Sequence, residues 1–144
     1  MTVRVRRPGV ALFPLVVGVL LVSINLPCAA QDFKPYPGSQ LDEKASREAM
    51  AGSPPDKQAQ VYTTDDAFDK VYAFYKGRYK ESTILGSGRK LPSGQQIRWA
   101  FFILDGAGDL SGSSYWMKIQ RPYVGGAEGK DIRGITVIQV VRPK

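Results

Sequence analysis

Histidine is absent from all 144 residues, and cysteine occurs once, at Cys28. Without histidine the chain lacks the commonest general base near neutral pH. Ser-His-Asp and Cys-His nucleophilic machinery cannot be assembled. Zinc, copper and iron–sulfur centres lose their usual nitrogen and sulfur ligands. A single thiol closes no disulfide within the chain. No internal repeat or low-complexity tract is present. The longest apolar run, VALFPLVVGVLLVSINL, is short of the roughly 20 residues a membrane-spanning helix needs, and Pro14, Gly18 and Asn25 interrupt it. Carboxylates, lysines, tyrosines and hydroxyls remain for chemistry, and oxygen ligands alone for a metal such as calcium.

That apolar run follows MTVRVRRPG, which holds Arg4, Arg6 and Arg7 and no acid. A basic stub, a short apolar stretch and a small-residue exit are the parts of a secretory signal peptide. Cys28 and Ala30 suit the −3 and −1 subsites, which predicts cleavage before Gln31 and a periplasmic or secreted product. The main rival is an uncleaved membrane anchor. A lipid on Cys28 is disfavoured, because Asn25 and Pro27 stand where a lipobox wants an aliphatic and a small residue. Arg6-Arg7 is followed by Pro8-Gly9, which weakens a twin-arginine reading. On the favoured reading Cys28 leaves with the signal.

Removing residues 1–30 takes away three of twenty basic residues and none of thirteen acidic ones, so the net charge falls from +7 to +4. That mild surplus argues against nucleic acid as a partner. The 114 residues left of 144 suit one compact domain. The expected organisation is a signal peptide over 1–30, an N-terminal arm with a short helix over 31–58, and a single α+β domain over 59–144.

In the arm, QDFKPYPGS is broken by Pro35, Pro37 and Gly38 and should be extended or turning. SQLDEKASREAMAG predicts a short, mostly polar helix with Ser39 as N-cap, Gly52 as its end and SPPDK as the stop. Its small apolar surface predicts loose contact with the domain. QAQVYTT, residues 58–64, is a candidate strand.

TTDDAFDKVYAFYKGRYK predicts an amphipathic helix. Phe68, Val71, Tyr72, Tyr75 and Tyr79 fall on one stripe, with Phe74 on its flank. Thr63 or Thr64 is the expected cap, with acids early and bases late to complement the macrodipole. The loop ESTILGSGRKLPSG follows. QQIRWAFFILDG then predicts a central strand, with Ile97, Trp99, Phe101 and Ile103 on one face and Ala100, Phe102 and Leu104 on the other. YWMKIQRPY alternates Tyr115, Met117 and Ile119 with Trp116, Lys118 and Gln120. IRGITVIQVVRP is a β-branched third run. Short turn-rich connectors make the three antiparallel. The expected fold is α+β: one amphipathic helix on an antiparallel sheet of about four strands.

YPGS at 36–39, VYTTDDAFDKVYAFYK at 61–76 and the WAFFILDG…WMKIQRPY hairpin resemble a type of small exported bacterial protein of uncharacterised function. That type pairs a YPG turn with a helix of pattern T-x-D…V-x-x-F-Y. The resemblance implies compartment and architecture. It carries no activity and no site residue.

Four features compete for a functional role. Ser87-Gly88-Arg89-Lys90 matches S-x-x-K, the acylating pair of penicillin-binding enzymes, but its companion motifs are missing and a chance match is favoured. Asp105, Asp109, Ser111 and Ser113 offer oxygen ligands in a glycine-rich loop. The EF-hand spacing is missing there, so ordinary turn chemistry is favoured over calcium. Lys76, Arg78, Lys80, Arg89, Lys90 and Arg98 face a single acid, Glu81, and form a candidate anion-binding surface; the competing reading is a solvated helix end. Trp116 marks a candidate exposed aromatic patch, provided the helix covers only one side of the sheet.

These observations favour a non-enzymatic exported binding or interaction module with no cofactor and no catalytic residue. Its partner would be an unknown protein or an anionic envelope ligand, with membrane contact only through an uncleaved signal or a lipidated Cys28. The alternatives are a hydrolase built from carboxylates such as Asp105 and Asp109, and a membrane-anchored structural envelope protein.

Overall fold

The computed structural model describes residues 31–83, 85–126 and 129–144. The expected signal peptide and Cys28 lie outside the described residues. The elements run β1 (Gln40–Leu41), α1 (Glu43–Ala51), β2 (Lys57–Thr64), α2 (Phe68–Lys76), β3 (Lys80–Ser82), β4 (Gly88–Lys90), β5 (Gln96–Ile103), β6 (Trp116–Arg121), β7 (Tyr123–Gly125), β8 (Asp131–Arg133) and β9 (Thr136–Pro143). Seven strands form one antiparallel sheet in the order β1-β2-β9-β6-β5-β3, with β4 also pairing β5. β7 and β8 form a second, two-stranded sheet. The meander of three apolar runs joined by strand 58–64 is therefore present as β5-β6-β9-β2. The sheet is larger than the expected four strands and carries two helices. The added strands are mostly two or three residues long, too short for period-2 alternation to reveal them.

The two sheet faces follow from the register. Tyr62, Ile138, Ile119 and Ala100 make one cross-strand row, and Val140, Met117 and Phe102 make the next. α2 lies on this face with Phe68, Val71 and Tyr75 buried beneath it. These side chains, with Tyr36, Tyr79 and Leu104, make the main core. Burying a side chain such as Phe102 or Ile119 contributes about 1.5–3 kcal/mol, and both are fully enclosed. Tyr72 turns its ring toward Phe102 and donates to the Glu81 carboxylate at 2.7 Å.

α2 is shorter than the sequence pattern suggests, and its expected threonine cap is not used. Thr63 and Thr64 stay in β2, opposite Val137 and Thr136. The carbonyls of Asp65 and Asp66 accept from Arg121 Nη1, and that of Asp66 also from Thr136 Oγ1 at 2.6 Å. Tertiary donors thus occupy the residues just before the helix. The chain enters through Ala67, with no side-chain capping bond.

α1 also starts later than expected. Ser39 bonds back to the Tyr36 carbonyl, closing the YPG turn. Asp42 is the N-cap instead, accepting from the Ala45 amide at 2.9 Å. The segment 31–58 is bound along its length. Phe33 stacks on Tyr75, the Asp42 amide donates to the Val61 carbonyl, and Ser46 Oγ accepts from the Val61 amide. Ala45 is buried against Val61, Val137 and Tyr123, with Ala49 packed beside it. α1 therefore covers part of the sheet face opposite α2. The alanines that look weakly apolar in sequence allow that close approach.

Candidate ligand-binding cleft

Opposite α2, the side chains of the sheet alternate in a different chemistry. One cross-strand row reads Val61, Gln139, Lys118, Phe101, Ser82. Its neighbour reads Val137, Gln120, Trp99. α1 stands over one end of these rows, and β7 lies beside them after the chain leaves β6 at Pro122. The result is a trough with two lobes.

The first lobe, about 500 Å³, lies between α1 and β7 and is lined by Ala45, Ala49, Val61, Val137, Tyr123 and Gln139, among others. The second, about 460 Å³, is lined by Leu85, Arg89, Ile97, Trp99 and Phe101. Lys118, Gln120 and Val124 border both. Polar and apolar groups share the lining, with Lys118, Gln120 and Gln139 converging on the floor beside Ala45, Ala49, Val61, Val137, Trp99 and Phe101.

Lys118 sits at the junction. Among the described residues no carboxylate pairs with it; its ammonium lies 5.9 Å from the centre of the Phe101 ring. Burial in the trough lowers its pKa from the ordinary lysine value, and the positive charge of Arg89 adds to the effect. Among the described residues the acid that lines the first lobe is Glu48. Its Oε2 accepts from the Tyr123 hydroxyl at 3.4 Å and from the Gly126 amide at 3.3 Å. Tyr123 itself lies under the Arg133 guanidinium, 4.0 Å from ring centre to Cζ, which fixes the β7 wall.

The six cations singled out from the sequence have different partners. Arg98 pairs bidentately with Asp69 at 2.7 and 2.9 Å and stacks on Phe68. Arg78 lies over Phe74 and Lys76 over Tyr72. Lys80 donates to the Gly108 carbonyl at 2.6 Å. Lys90 is exposed on β4. Arg89 alone lines the trough, in register with Ile97. Trp116 lies on the trough's side of the sheet, half-buried and with its ring 6.0 Å from Phe101, but it borders neither lobe.

The carboxylates of the glycine-rich loop are committed to local structure. Asp105 accepts from the amides of Ala107, Ser114 and Tyr115 and from the hydroxyls of Ser113 and Ser114. Burial alone would raise its pKa; these bonds outweigh it and hold the carboxyl at about 2. Asp109 accepts from Ser111 Oγ and the Gly112 amide. Ser87 and Lys90 flank an extended strand rather than one helical turn, so they lack the geometry of an acylating pair.

Lys118, Gln139 and Tyr123 went unnoticed in the sequence. The signal for the first was present: Lys118 alternates with Met117 and Ile119 in a central strand, and it shares a face with Trp99 and Phe101. A lysine there must either find a counter-ion or line a cavity. The contributions of α1 and β7 had no such signal, since they depend on long-range packing. No protein-family model matches the chain, and neither the curated proteins nor the solved structures contain a match to it.

Proposed function

We propose that this chain is an exported, non-enzymatic binding module whose ligand site is the trough between α1, β7 and the open face of the sheet. The observation that carries this reading is the two-lobed cavity floored by Lys118, Gln120 and Gln139, with apolar walls from Ala45, Ala49, Val61, Val137, Trp99 and Phe101. A ligand with an apolar body fits such walls, and the floor supplies orientation. Export rests on the basic, apolar and small-residue segments of the leader. The engagement of Asp105 and Asp109 within their own loop favours binding over carboxylate catalysis.

The test is binding of the neutral fluorophore N-phenyl-1-naphthylamine to the purified protein. Saturable enhancement is expected, together with its loss in Ala49→Trp, which fills the first lobe while circular dichroism stays unchanged. No saturable binding, or equal binding by the plugged variant, overturns the reading.

A further inference from the structure

The trough holds a cation without a counter-charge, and that feature selects a class of ligand. Lys118 borders both lobes, and Arg89 enters the second lobe from β4. Among the described residues no acid lines the second lobe. The one acid among the described residues that lines the first lobe is Glu48, whose carboxylate is turned to Tyr123 and Gly126. Partly burying an ammonium in a cleft costs free energy unless a negative group compensates. Among the described residues no carboxylate pairs with Lys118, and a bound anion can supply the charge.

From these positions we infer that the cleft binds single-chain anionic amphiphiles, with the headgroup between Lys118 and Arg89 and the apolar tail in the lobe beneath α1. This inference rests on the binding reading above and adds the chemical class of the ligand. The tail is assigned to the first lobe because Ala45, Ala49, Val61 and Val137 give it an aliphatic wall, while Arg89 enters the second lobe and places the headgroup on that side of Lys118. A carboxylate or a phosphate monoester meets the same donors. Lys118 offers three N–H bonds and Arg89 a planar fork, and charge-assisted bonds to either anion are stronger than neutral ones. Gln120 donates to the Pro122 carbonyl. Gln139, beside Lys118 in the register, adds an amide facing the same space.

Isothermal titration calorimetry on the purified protein tests this with four probes sharing a twelve-carbon tail: dodecanoate, dodecyl phosphate, dodecanol and dodecyltrimethylammonium, each below its micellar concentration. Inorganic phosphate and acetate are run as headgroup-only controls. The anionic probes are expected to bind roughly tenfold to a hundredfold more tightly than dodecanol. The cationic probe should bind more weakly than dodecanol, and the controls negligibly. Lys118→Met should bring dodecanoate down to the affinity of dodecanol, with an unchanged circular dichroism spectrum showing that the variant is folded. Arg89→Gln should lose part of the preference. Equal binding of dodecanoate and dodecanol by the wild type overturns the anion assignment and leaves the cleft standing. A preference that survives Lys118→Met likewise overturns it. Failure of every twelve-carbon probe removes the binding reading itself. Tight binding of phosphate or acetate alone overturns the amphiphile in favour of a free anion.

Discussion

The main-chain N–H of Lys34 donates to the phenol oxygen of Tyr79 at 3.0 Å, across 45 positions of sequence. The same oxygen donates onward to the Asp32 carbonyl at 2.9 Å. Tyr75 bonds the Lys34 carbonyl, and Tyr115 accepts from the Phe33 amide. Three tyrosines thus tie an extended segment, which has no strand partner of its own, to the body of the protein. This satisfies backbone groups that a turn-rich stretch would otherwise leave to solvent.

Tyr79→Phe keeps the ring and removes both bonds. The expected loss is about 1–2 kcal/mol of stability, read from urea unfolding. Amide exchange should rise first at Phe33 and Lys34, before the core strands respond.

Asp105 makes stability depend on acid. Its carboxyl is depressed from 3.8 to about 2 in the folded chain. The stabilisation is therefore complete above the unfolded value and fades as pH falls through the folded one. With solvent screening discounted, the expected contribution is about 1 kcal/mol, lost between about pH 4 and about pH 2. Asp105→Asn should flatten that limb of a stability–pH curve measured by denaturant midpoints. At neutral pH it should destabilise, since an amide accepts fewer of the five loop bonds.

Gly88 places Arg89. A Cβ at this position would collide with the main-chain carbonyl of Ile97 in the facing strand, a group that cannot move without breaking β5. Gly88→Ala should therefore detach β4 and the neighbouring Trp99 N–H bond to the Ser87 carbonyl, 3.1 Å in the native chain. Faster exchange at the Trp99 amide, with little change in midpoint because the strand is exposed and at the edge, is the expected outcome.

The proposed export is tested by mass. Intact mass of the protein recovered from producing cells should match a chain beginning at Gln31 with no acyl addition. A mass that includes Cys28 with bound lipid would reassign it to the membrane surface.

Much of the sheet was legible in the sequence because β5, β6 and β9 are long enough for alternation to appear, and short connectors fixed their antiparallel sense. The inner face of α2 was legible for the same reason at helical period. The cleft was not. Its walls come from α1, whose apolar stripe is only alanines, and from β7, which depends on the turn at Pro122 and on Arg133 packing over Tyr123. The basic residues of 76–98 attracted attention because they are adjacent in sequence. In the fold they diverge: Arg98 is held by Asp69 and Lys80 by a loop carbonyl, and only Arg89 turns toward Lys118. Charge density along a chain carries no information about which face each side chain joins.

Both tryptophans of the chain, Trp99 and Trp116, project from the same side of the sheet, in register with Gln120 and Val141. The layer under α2 contains tyrosine and phenylalanine but no indole. Long-wavelength ultraviolet excitation will consequently illuminate one side of the molecule and leave the other dark. The protein thus carries a built-in optical gauge: with Trp116 replaced by phenylalanine, the emission colour of Trp99 will track the hydration of the second lobe without any label.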